Sequence, residues 1–340
     1  MGKSFLKVIL ILITLGVAAG AWCYSQFLGD AVVETFTVSV GSQDVDSDHW
    51  GDLEEQILPN INHDWAFKLY AKHLNLSSTI KPGRYCFEPG MSVIRIVRML
   101  KLGEQLAVNV TFNNIRTLPE FAGRISSQLN VDSLELLGYL QKTEVAKKYG
   151  FDSATIFSMF IPNTYQFYWN TTPEKFVSRM HSEYNSFWNQ EREAKAKALK
   201  LSRLEVMTLA SIIYEETKQT SEMARVAGVY ANRLRIGMPL QADPTVKYAI
   251  GDFSIKRVLN KHLEYDSPYN TYKYRGLPPS PIAMPSIAAI DAALAPEKHD
   301  YLYFCARPTF DGYHNFARTL TEHNANARAY INELNRLKIK

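Results

Sequence analysis

Hydrophobic residues form one uninterrupted stretch near the start of the chain. No charged residue occurs from Val8 to Gly29, and Lys3 and Lys7 precede this stretch. An apolar helix of about 20 residues crosses a hydrocarbon core of roughly 30 Å. Lysines on the short side predict a retained single-pass anchor (residues 1–29) in the inner membrane, with the rest of the chain outside the cytoplasm. A cleaved signal peptide is the alternative, because Ala19-Gly20-Ala21 fits a cleavage site.

The hydrophobic pattern after the anchor changes between two periods. Residues Thr35–Val40 and Arg84–Phe87 alternate between apolar and polar, which predicts strands. Apolar residues recur at helical spacing between them and directly after them. The predicted helices are Asp52–Ile57, Trp65–Leu74 and Val93–Leu102. The order strand, helix, helix, strand indicates a small α+β module within residues 30–105.

Residues 106–190 are predicted to form an intermediate α+β region. Leu106–Phe112 alternates as a strand, whereas the following apolar spacing is helical. The predicted helices are Leu118–Leu129, Ser133–Tyr149 and Pro173–Trp188. The charged residues 190–200 are expected to be a solvated helix end or the approach to the last domain.

Residues 191–340 carry the clearest local signals. Ser202 and Glu205 form a capping box that begins a helix at residue 203, and Thr319 with Glu322 begins the final helix in the same way. Ser221 is predicted to cap a helix that runs to Ile236. A short helix (286–295) and two strands (301–306 and 313–316) joined by an Asp-Gly turn lie between them. The fold class is therefore α+β.

Composition excludes several classes of protein. With 46% hydrophobic and 12% aromatic residues, the 340-residue chain can build a real core. A net charge of +4, from 38 basic and 34 acidic residues without a basic block, does not predict a nucleic-acid partner. The mild positive excess would suit an anionic polymer or a membrane surface. Cys23, Cys86 and Cys305 allow at most one disulfide and have no metal-binding spacing.

One glutamate continues the apolar stripe of the helix that begins at residue 203. At about 100° per residue, Glu216 falls about 80° from Val206 and about 20° from Leu209, whereas Glu215 falls about 180° from Val206. A carboxyl group at the end of a buried stripe loses hydration, which favours its protonated form. A general acid at neutral pH needs that form. The alternative is that Glu216 lies exposed at a helix end, and periodicity alone leaves both open.

Several stretches of the chain resemble the YceG-like family. The resemblance covers most of the chain after the anchor and implies an endolytic peptidoglycan lytic transglycosylase. It also implies a LysM-like module at residues 30–105, for which a purely structural spacer is the alternative. The matching stretches are Leu209–Thr217, Arg225–Val246, Tyr269–Tyr272, Gly276–Ala283 and His314–Asn324, with weaker matches at Lys81–Tyr85 and Ile161–Tyr165.

The resemblance places catalysis on Glu216. The family's catalytic glutamate is the second Glu of a Ser-Ile-Ile/Val-Glu-Lys-Glu-Thr motif, which here reads Ser-Ile-Ile-Tyr-Glu-Glu-Thr over residues 211–217. Tyr214 and Glu215 replace the family's Glu and Lys. Further departures are Asn113-Asn114 for Glu-Gly and Asn163 for Asp.

The resemblance also implies a set of substrate-binding residues on proline-stiffened loops. Asp243 precedes a proline and is expected in an extended turn, where it either contacts substrate or only shapes the turn. The full set is Gln241, Asp243, Thr245, Asn270 and Tyr272. Arg225, Arg233 and Arg235 could bind muramyl-peptide carboxylates or lie on a solvated helix surface. No metal or cofactor is predicted, because Glu322, His323 and His314 match no zinc spacing.

A single carboxylic acid suffices for the implied reaction. Glu216 would protonate the oxygen between MurNAc and GlcNAc, then accept the proton of the MurNAc 6-hydroxyl as it attacks C1. The product would be a 1,6-anhydroMurNAc end. Two alternatives remain: a hydrolytic muramidase that uses Glu216 and Asp243, since hydrolases normally need two carboxyl groups, or a non-catalytic peptidoglycan-binding scaffold. The implied partners are glycan strands, the inner membrane and penicillin-binding protein synthases.

Overall fold

A computed structural model describes residues 2–41 and 50–338 of the chain. The chain divides into two compact units. The first, the N-terminal unit, comprises Met1–Val110, Ser126–Val131 and Tyr165–Thr172. The second, the C-terminal unit, comprises Thr111–Ile125, Asp132–Thr164 and Pro173–Lys340. The predicted division into segments 1–29, 30–105, 106–190 and 191–340 stays a prediction.

The N-terminal unit contains the predicted strand–helix–helix–strand order. Strands β1 and β2 pair antiparallel with Val38 opposite Tyr85, and both of these side chains are buried. Phe67 and Ile96 complete the core between the helices. The elements are α1 (Gly2–Leu28), β1 (Phe36–Val40), α2 (Trp50–Ile57), α3 (Asp64–His73), α4 (Leu76–Thr79), β2 (Gly83–Phe87) and α5 (Val93–Leu102). The α+β prediction is confirmed here, and the likeness to LysM stays a prediction.

Helix α1 is apolar over nearly its whole length. Its segment Ser4–Leu28 is, within the described residues, the one helix long and apolar enough to cross a membrane. Its side chains from residue 4 to residue 25 are exposed. The predicted apolar helix is therefore confirmed.

The remaining elements follow in chain order. Strands β3 and β4 pair in a second two-stranded sheet, and β5 and β6 pair antiparallel with Phe304 opposite Phe316. The elements are β3 (Ala107–Phe112), α6 (Leu118–Ser126), α7 (Ser133–Gln141), α8 (Thr143–Lys148), β4 (Asn163–Tyr168), α9 (Pro173–Phe187), α10 (Gln190–Leu199), α11 (Arg203–Glu216), α12 (Thr220–Arg235), α13 (Asp243–Ile250), α14 (Asn260–Leu263), α15 (Ile287–Leu294), β5 (Tyr303–Ala306), β6 (His314–Ala317) and α16 (Leu320–Arg336).

Helix α11 lies at the centre of the C-terminal unit. Ser202 and Glu205 form the predicted capping box, and every residue from 206 to 213 is buried. The helix packs against α12 and α15. Ser211 accepts a hydrogen bond from the backbone N–H of Ile282 at 3.0 Å, which ties the proline-rich segment to α11. This packing fixes the direction in which the last turn of α11 points.

Two predicted helix boundaries are wrong. The predicted helix 133–149 is two helices, because Lys142 takes an extended conformation (φ −68°, ψ 124°) between α7 and α8. Ser221 does not cap α12, whose N-cap is Gln219. The Ser221 hydroxyl instead lies 3.2 Å from the hydroxyl of Tyr313, the residue before β6. Sequence spacing does not reveal this contact.

The extended turn predicted at Asp243 is also wrong. Asp243 is the first residue of α13, and Pro244 lies in the first turn of that helix. Proline is tolerated there because the first N–H groups of a helix have no intrahelical acceptor. Strand β4 was not predicted at all. The cysteines at 23, 86 and 305, all within the described residues, form no disulfide.

Candidate active site

The last residue of α11 is Glu216, and it faces a cavity of about 400 Å³ in the C-terminal unit. The helix ends there because Thr217 turns to an extended conformation (φ −140°, ψ 139°). The cavity is lined by Glu216, Tyr230, Arg233, Gln241, Asp243, Tyr272, Tyr303, Phe304, Cys305, Ala306, His314, Leu320 and His323.

The Glu216 carboxyl group is partly buried rather than exposed at the helix end. Its Oε1 accepts a hydrogen bond of 2.9 Å from the Tyr230 hydroxyl of α12. The pKa of Glu216 is raised to about 7. Burial is the largest cause and nearby Asp243 adds to it, whereas the Tyr230 hydrogen bond and the Arg233 cation act in the opposite direction. Near neutral pH the group is thus poised to give up or take up a proton.

A second tyrosine–carboxylate pair lies in the same cavity. The Tyr272 hydroxyl donates to Asp243 Oδ1 at 2.6 Å. Burial and this carboxylate raise the pKa of Tyr272 far above its usual range, so the phenol keeps its proton. Glu216, Asp243 and Tyr272, three of the predicted residues, are therefore brought together.

Of the other three predicted residues, one also lines the cavity and two do not. Gln241 lines the cavity from a left-handed backbone conformation (φ 48°). Thr245 and Asn270 are buried and do not line it. The Thr245 hydroxyl donates to Ala242 O at 2.7 Å, and the Asn270 amide donates to the backbone carbonyls of residues 263 and 265. The Thr245 hydrogen bond holds the first turn of α13, which carries Asp243, and the Asn270 hydrogen bonds hold the loop that carries Tyr272.

Arg233 does not lie on a solvated surface. It is 6% exposed, and its guanidinium donates to the carbonyls of Leu302 and Leu240, each at 2.6 Å. Burial lowers the pKa of Arg233, and its charge favours ionisation of Glu216. Arg225 instead pairs with Glu297 at 3.0 Å.

Two histidines of the cavity wall were considered in the sequence only as possible metal ligands and not as residues of this site. His314 lies 2.7 Å from buried Glu222 through Nδ1, and its ring contributes to the cavity. His323 stacks on Tyr303 and its Nδ1 is buried without a hydrogen-bond partner in the described structure. Burial lowers the pKa of His323, which favours the neutral ring. The hairpin predicted from the sequence includes this part of the chain, but the pattern did not indicate which of its side chains face the cavity.

The positions at which the chain departs from the family's motifs also come together. Asn113, Asn114, Asn163 and Tyr214 all line a second cavity of about 330 Å³ in the C-terminal unit. Glu215, the remaining departure, lies apart from both cavities and pairs with Arg116 at 2.7 Å and with Lys218 at 3.3 Å. In the part of the chain that the structure describes, no group of three His, Cys, Asp or Glu side chains could hold a metal ion.

Comparisons with known proteins agree on one family. The model of the YceG-like family matches residues 49–329. The endolytic murein transglycosylase of Bacillus subtilis (strain 168) is 34% identical over 292 residues, which cover 81% of this chain and 79% of that protein. The endolytic murein transglycosylase of Streptococcus pneumoniae (strain D39) is 28% identical over 303 residues. This match covers 80% of this chain but only 54% of that protein.

A solved structure supports the same comparison. The crystal structure of a yceG-like protein from Listeria monocytogenes superposes with a TM-score of 0.57 and 31% sequence identity. The match covers 86% of this chain and 98% of the Listeria chain.

Proposed function

The chain belongs to the YceG-like family, and we propose that it is an endolytic lytic transglycosylase that cleaves the MurNAc–GlcNAc bond within peptidoglycan strands. The observation that carries this proposal is the Glu216 carboxyl group in a polar cavity, with a pKa raised to about 7 by burial. An ordinary glutamate is ionised at neutral pH and could not serve as a general acid. The names of the relatives support murein as the substrate.

The two oxygens of Glu216 have different surroundings. Oε1 accepts the Tyr230 hydrogen bond, which leaves Oε2 to carry the catalytic proton. In the first step this proton passes to the glycosidic oxygen, the bond from that oxygen to C1 of MurNAc breaks, and the GlcNAc 4-hydroxyl leaves. Arg233 and the Tyr230 hydroxyl then stabilise the carboxylate that remains.

The second step uses the same carboxylate as a base. The MurNAc 6-hydroxyl attacks C1, and its proton returns to Glu216. A 1,6-anhydro bond forms, the acid is regenerated and no water is consumed. One carboxyl group therefore completes the cycle, whereas a hydrolase requires a second carboxyl group as base or nucleophile.

A hydrolytic muramidase is the second candidate, because Asp243 lines the same cavity as Glu216. Asp243 Oδ1 already accepts the Tyr272 hydroxyl at 2.6 Å, so at most its second oxygen is available to a water molecule. A binding scaffold is less well supported, since it would have no need for a glutamate with a raised pKa.

Digestion of purified peptidoglycan in ¹⁸O-labelled water distinguishes these reactions. We expect new ends that are 1,6-anhydroMurNAc, lighter by one water than reducing ends and free of label by mass spectrometry. Fragments several disaccharides long should appear first, because endolytic cleavage occurs inside strands. Labelled, reducible MurNAc ends would overturn the transglycosylase proposal and assign the base to Asp243. A scaffold would release neither product.

The same proposal extends to location. Helix α1 would span the inner membrane once, with the N-terminal lysines on the cytoplasmic side and residues 30–340 outside. The enzyme would then act on nascent strands beside the membrane, next to the penicillin-binding protein synthases that make them.

A further inference from the structure

The end of α1 is attached to the N-terminal unit through aromatic contacts with α3. The Trp22 and Trp65 rings stack with centroids 5.2 Å apart and planes within 6° of parallel. Trp65 Nε1 donates to Gln26 Oε1 at 2.9 Å, and Phe27 meets the edge of the Trp65 ring at 5.5 Å. The last turns of α1 and the first turn of α3 therefore lie side by side.

Helix α3 exposes a face that the core of its unit does not use. Ala66, Phe67 and Ala71 are buried, whereas Trp65 and Leu69 are 42% and 54% exposed. Lys68 and Lys72 are exposed beside them, four residues apart. Among the described residues neither lysine forms an ion pair, although Glu54 shares a cavity with both. We define Trp65, Lys68, Leu69 and Lys72 as the α3 surface.

The stacking fixes the level of the α3 surface along α1. From Ser4 to Trp22 the helix rises about 27 Å at about 1.5 Å per residue, close to the roughly 30 Å of a hydrocarbon core. Lys7 lies three residues, about 4.5 Å, above Ser4, so its long side chain can reach back to the cytoplasmic boundary. If residues 4–22 cross the membrane in this way, Trp22 lies at its outer boundary, and Trp65 lies at the same level because the two rings are stacked. Tryptophan is enriched at this interface.

We propose that the α3 surface binds the outer face of the membrane, with Trp65 and Leu69 among the upper acyl chains and Lys68 and Lys72 on anionic lipid headgroups. This inference rests on the proposal that α1 spans the membrane. An exposed indole and leucine beside exposed lysines are the pattern of an interfacial amphipathic helix, and lysines near a membrane are attracted to anionic lipids. The anchor and α3 would together hold the N-terminal unit against the bilayer.

Quenching of tryptophan fluorescence by brominated lipids tests this directly. The full chain is reconstituted in phosphatidylcholine vesicles containing phosphatidylglycerol, with or without bromine near the headgroup end of the acyl chains. Subtracting the emission of Trp65→Phe from that of the wild type isolates Trp65 among the five tryptophans. We expect bromine to remove at least about half of this difference signal, since interfacial indoles lie at that depth. Trp188, which is buried in the C-terminal unit, provides an unquenched control through Trp188→Phe.

The outcomes separate the two proposals. If the signal isolated with Trp22→Phe is quenched and that of Trp65 is not, the proposal that α1 spans the membrane is supported. The proposal that the α3 surface binds the membrane is then overturned. If neither is quenched, α1 does not enter the bilayer and both proposals fail.

The proposed contact of the lysines with headgroups is tested by changing the charge of the lipids. The variants replace lysines at exposed positions and so leave the core intact. Quenching of Trp65 should be stronger with phosphatidylglycerol than without it. Lys68→Gln with Lys72→Gln should abolish this difference, whereas Lys147→Gln with Lys197→Gln, which removes the same charge from exposed sites of the C-terminal unit, should preserve it. An equal response of both double variants would overturn the role of the headgroups.

Discussion

The Glu216 side chain carries the proposed chemistry, so its replacement is the first prediction. Glu216→Gln keeps an acceptor for the Tyr230 hydroxyl but has no acidic proton to transfer, and we expect cleavage to fall by at least about 100-fold. Glu215→Gln is the matched control. It removes the ion pairs with Arg116 and Lys218, which lie outside the cavity that contains Glu216, and should leave most of the activity. Equal loss of activity in both variants would contradict the assignment.

Glu216→Gln, which should abolish cleavage, should at the same time stabilise the folded protein at alkaline pH. Because the folded-state pKa of Glu216 is raised to about 7 from 4.5, the folded state holds more protons than the unfolded state between these values. Stability is therefore lost as pH rises through this window. Glu216→Gln should unfold at a higher temperature than the wild type at pH 8 but not at pH 4, as measured by circular dichroism. A lower unfolding temperature at pH 8 would show that burial of the ionised group costs nothing.

Tyr230 is predicted to set the pH range of the reaction as a positioning residue. The acid must be protonated, so kcat/KM should fall as pH rises through about 7. The Tyr230 hydrogen bond favours the carboxylate and lowers the pKa of Glu216. Tyr230→Phe should therefore move this decline to higher pH, as measured on soluble glycan strands. Tyr272→Phe, whose phenol bonds Asp243 instead, should shift it less. A reduced rate with an unmoved pH profile would indicate a merely structural role for Tyr230.

At the residue scale, the sequence predicted the orientation of Glu216 but not its surroundings. Helical periodicity placed Glu216 on the buried side because that geometry is local to one helix. Tyr230 and Arg233 come from the next helix, and only the packing of α12 against α11 brings them to the carboxyl group. No spacing rule relates residues on different helices, so these contacts could not be predicted.

At the scale of elements, Gly228 allows α12 to pack closely against the segment that contains Glu297 and His299. An added Cβ would lie 2.3 Å from the backbone oxygen of Glu297 and 2.5 Å from His299 Nε2. Gly228→Ala should destabilise the chain by about 2 kcal/mol or more through overpacking. Gly138→Ala, in an exposed helix with nothing within 4 Å, should instead stabilise it by about 0.5–1 kcal/mol. Thermal unfolding in detergent compares the two, and similar shifts would contradict the close approach.

Elements were predicted well where their signals are local. The capping boxes at Ser202 and Thr319 are present because each needs only side chains and backbone groups within four residues. The start of α13 was missed because a residue before proline usually avoids helical conformation, yet Asp243 occupies the first position of that helix. Lys142 separates α7 from α8 without any glycine or proline to mark the break.

At the scale of the whole molecule, the anchor should be retained with the catalytic unit outside the cytoplasm. An alkaline phosphatase fusion at the C-terminus should be active, because the N-terminal lysines favour the cytoplasmic side. N-terminal sequencing of the protein from membranes should find the first residues intact. A cytoplasm-only reporter that is active at the same site would contradict the orientation, and a mature chain beginning at Trp22 would establish a cleaved signal peptide.

If α1 spans the membrane as proposed, the stacked pair Trp22–Trp65 leaves only a short segment of the helix to face lipid. Only residues 4–21 of α1 precede the contact with α3, a length of about 27 Å at about 1.5 Å per residue. A helix this short has no spare length to tilt, so hydrophobic mismatch in a thicker bilayer must be relieved by local thinning of the lipid or by deeper insertion of Trp65. The protein should therefore partition into thinner regions of a membrane of uneven thickness, and its site of action would follow lipid composition.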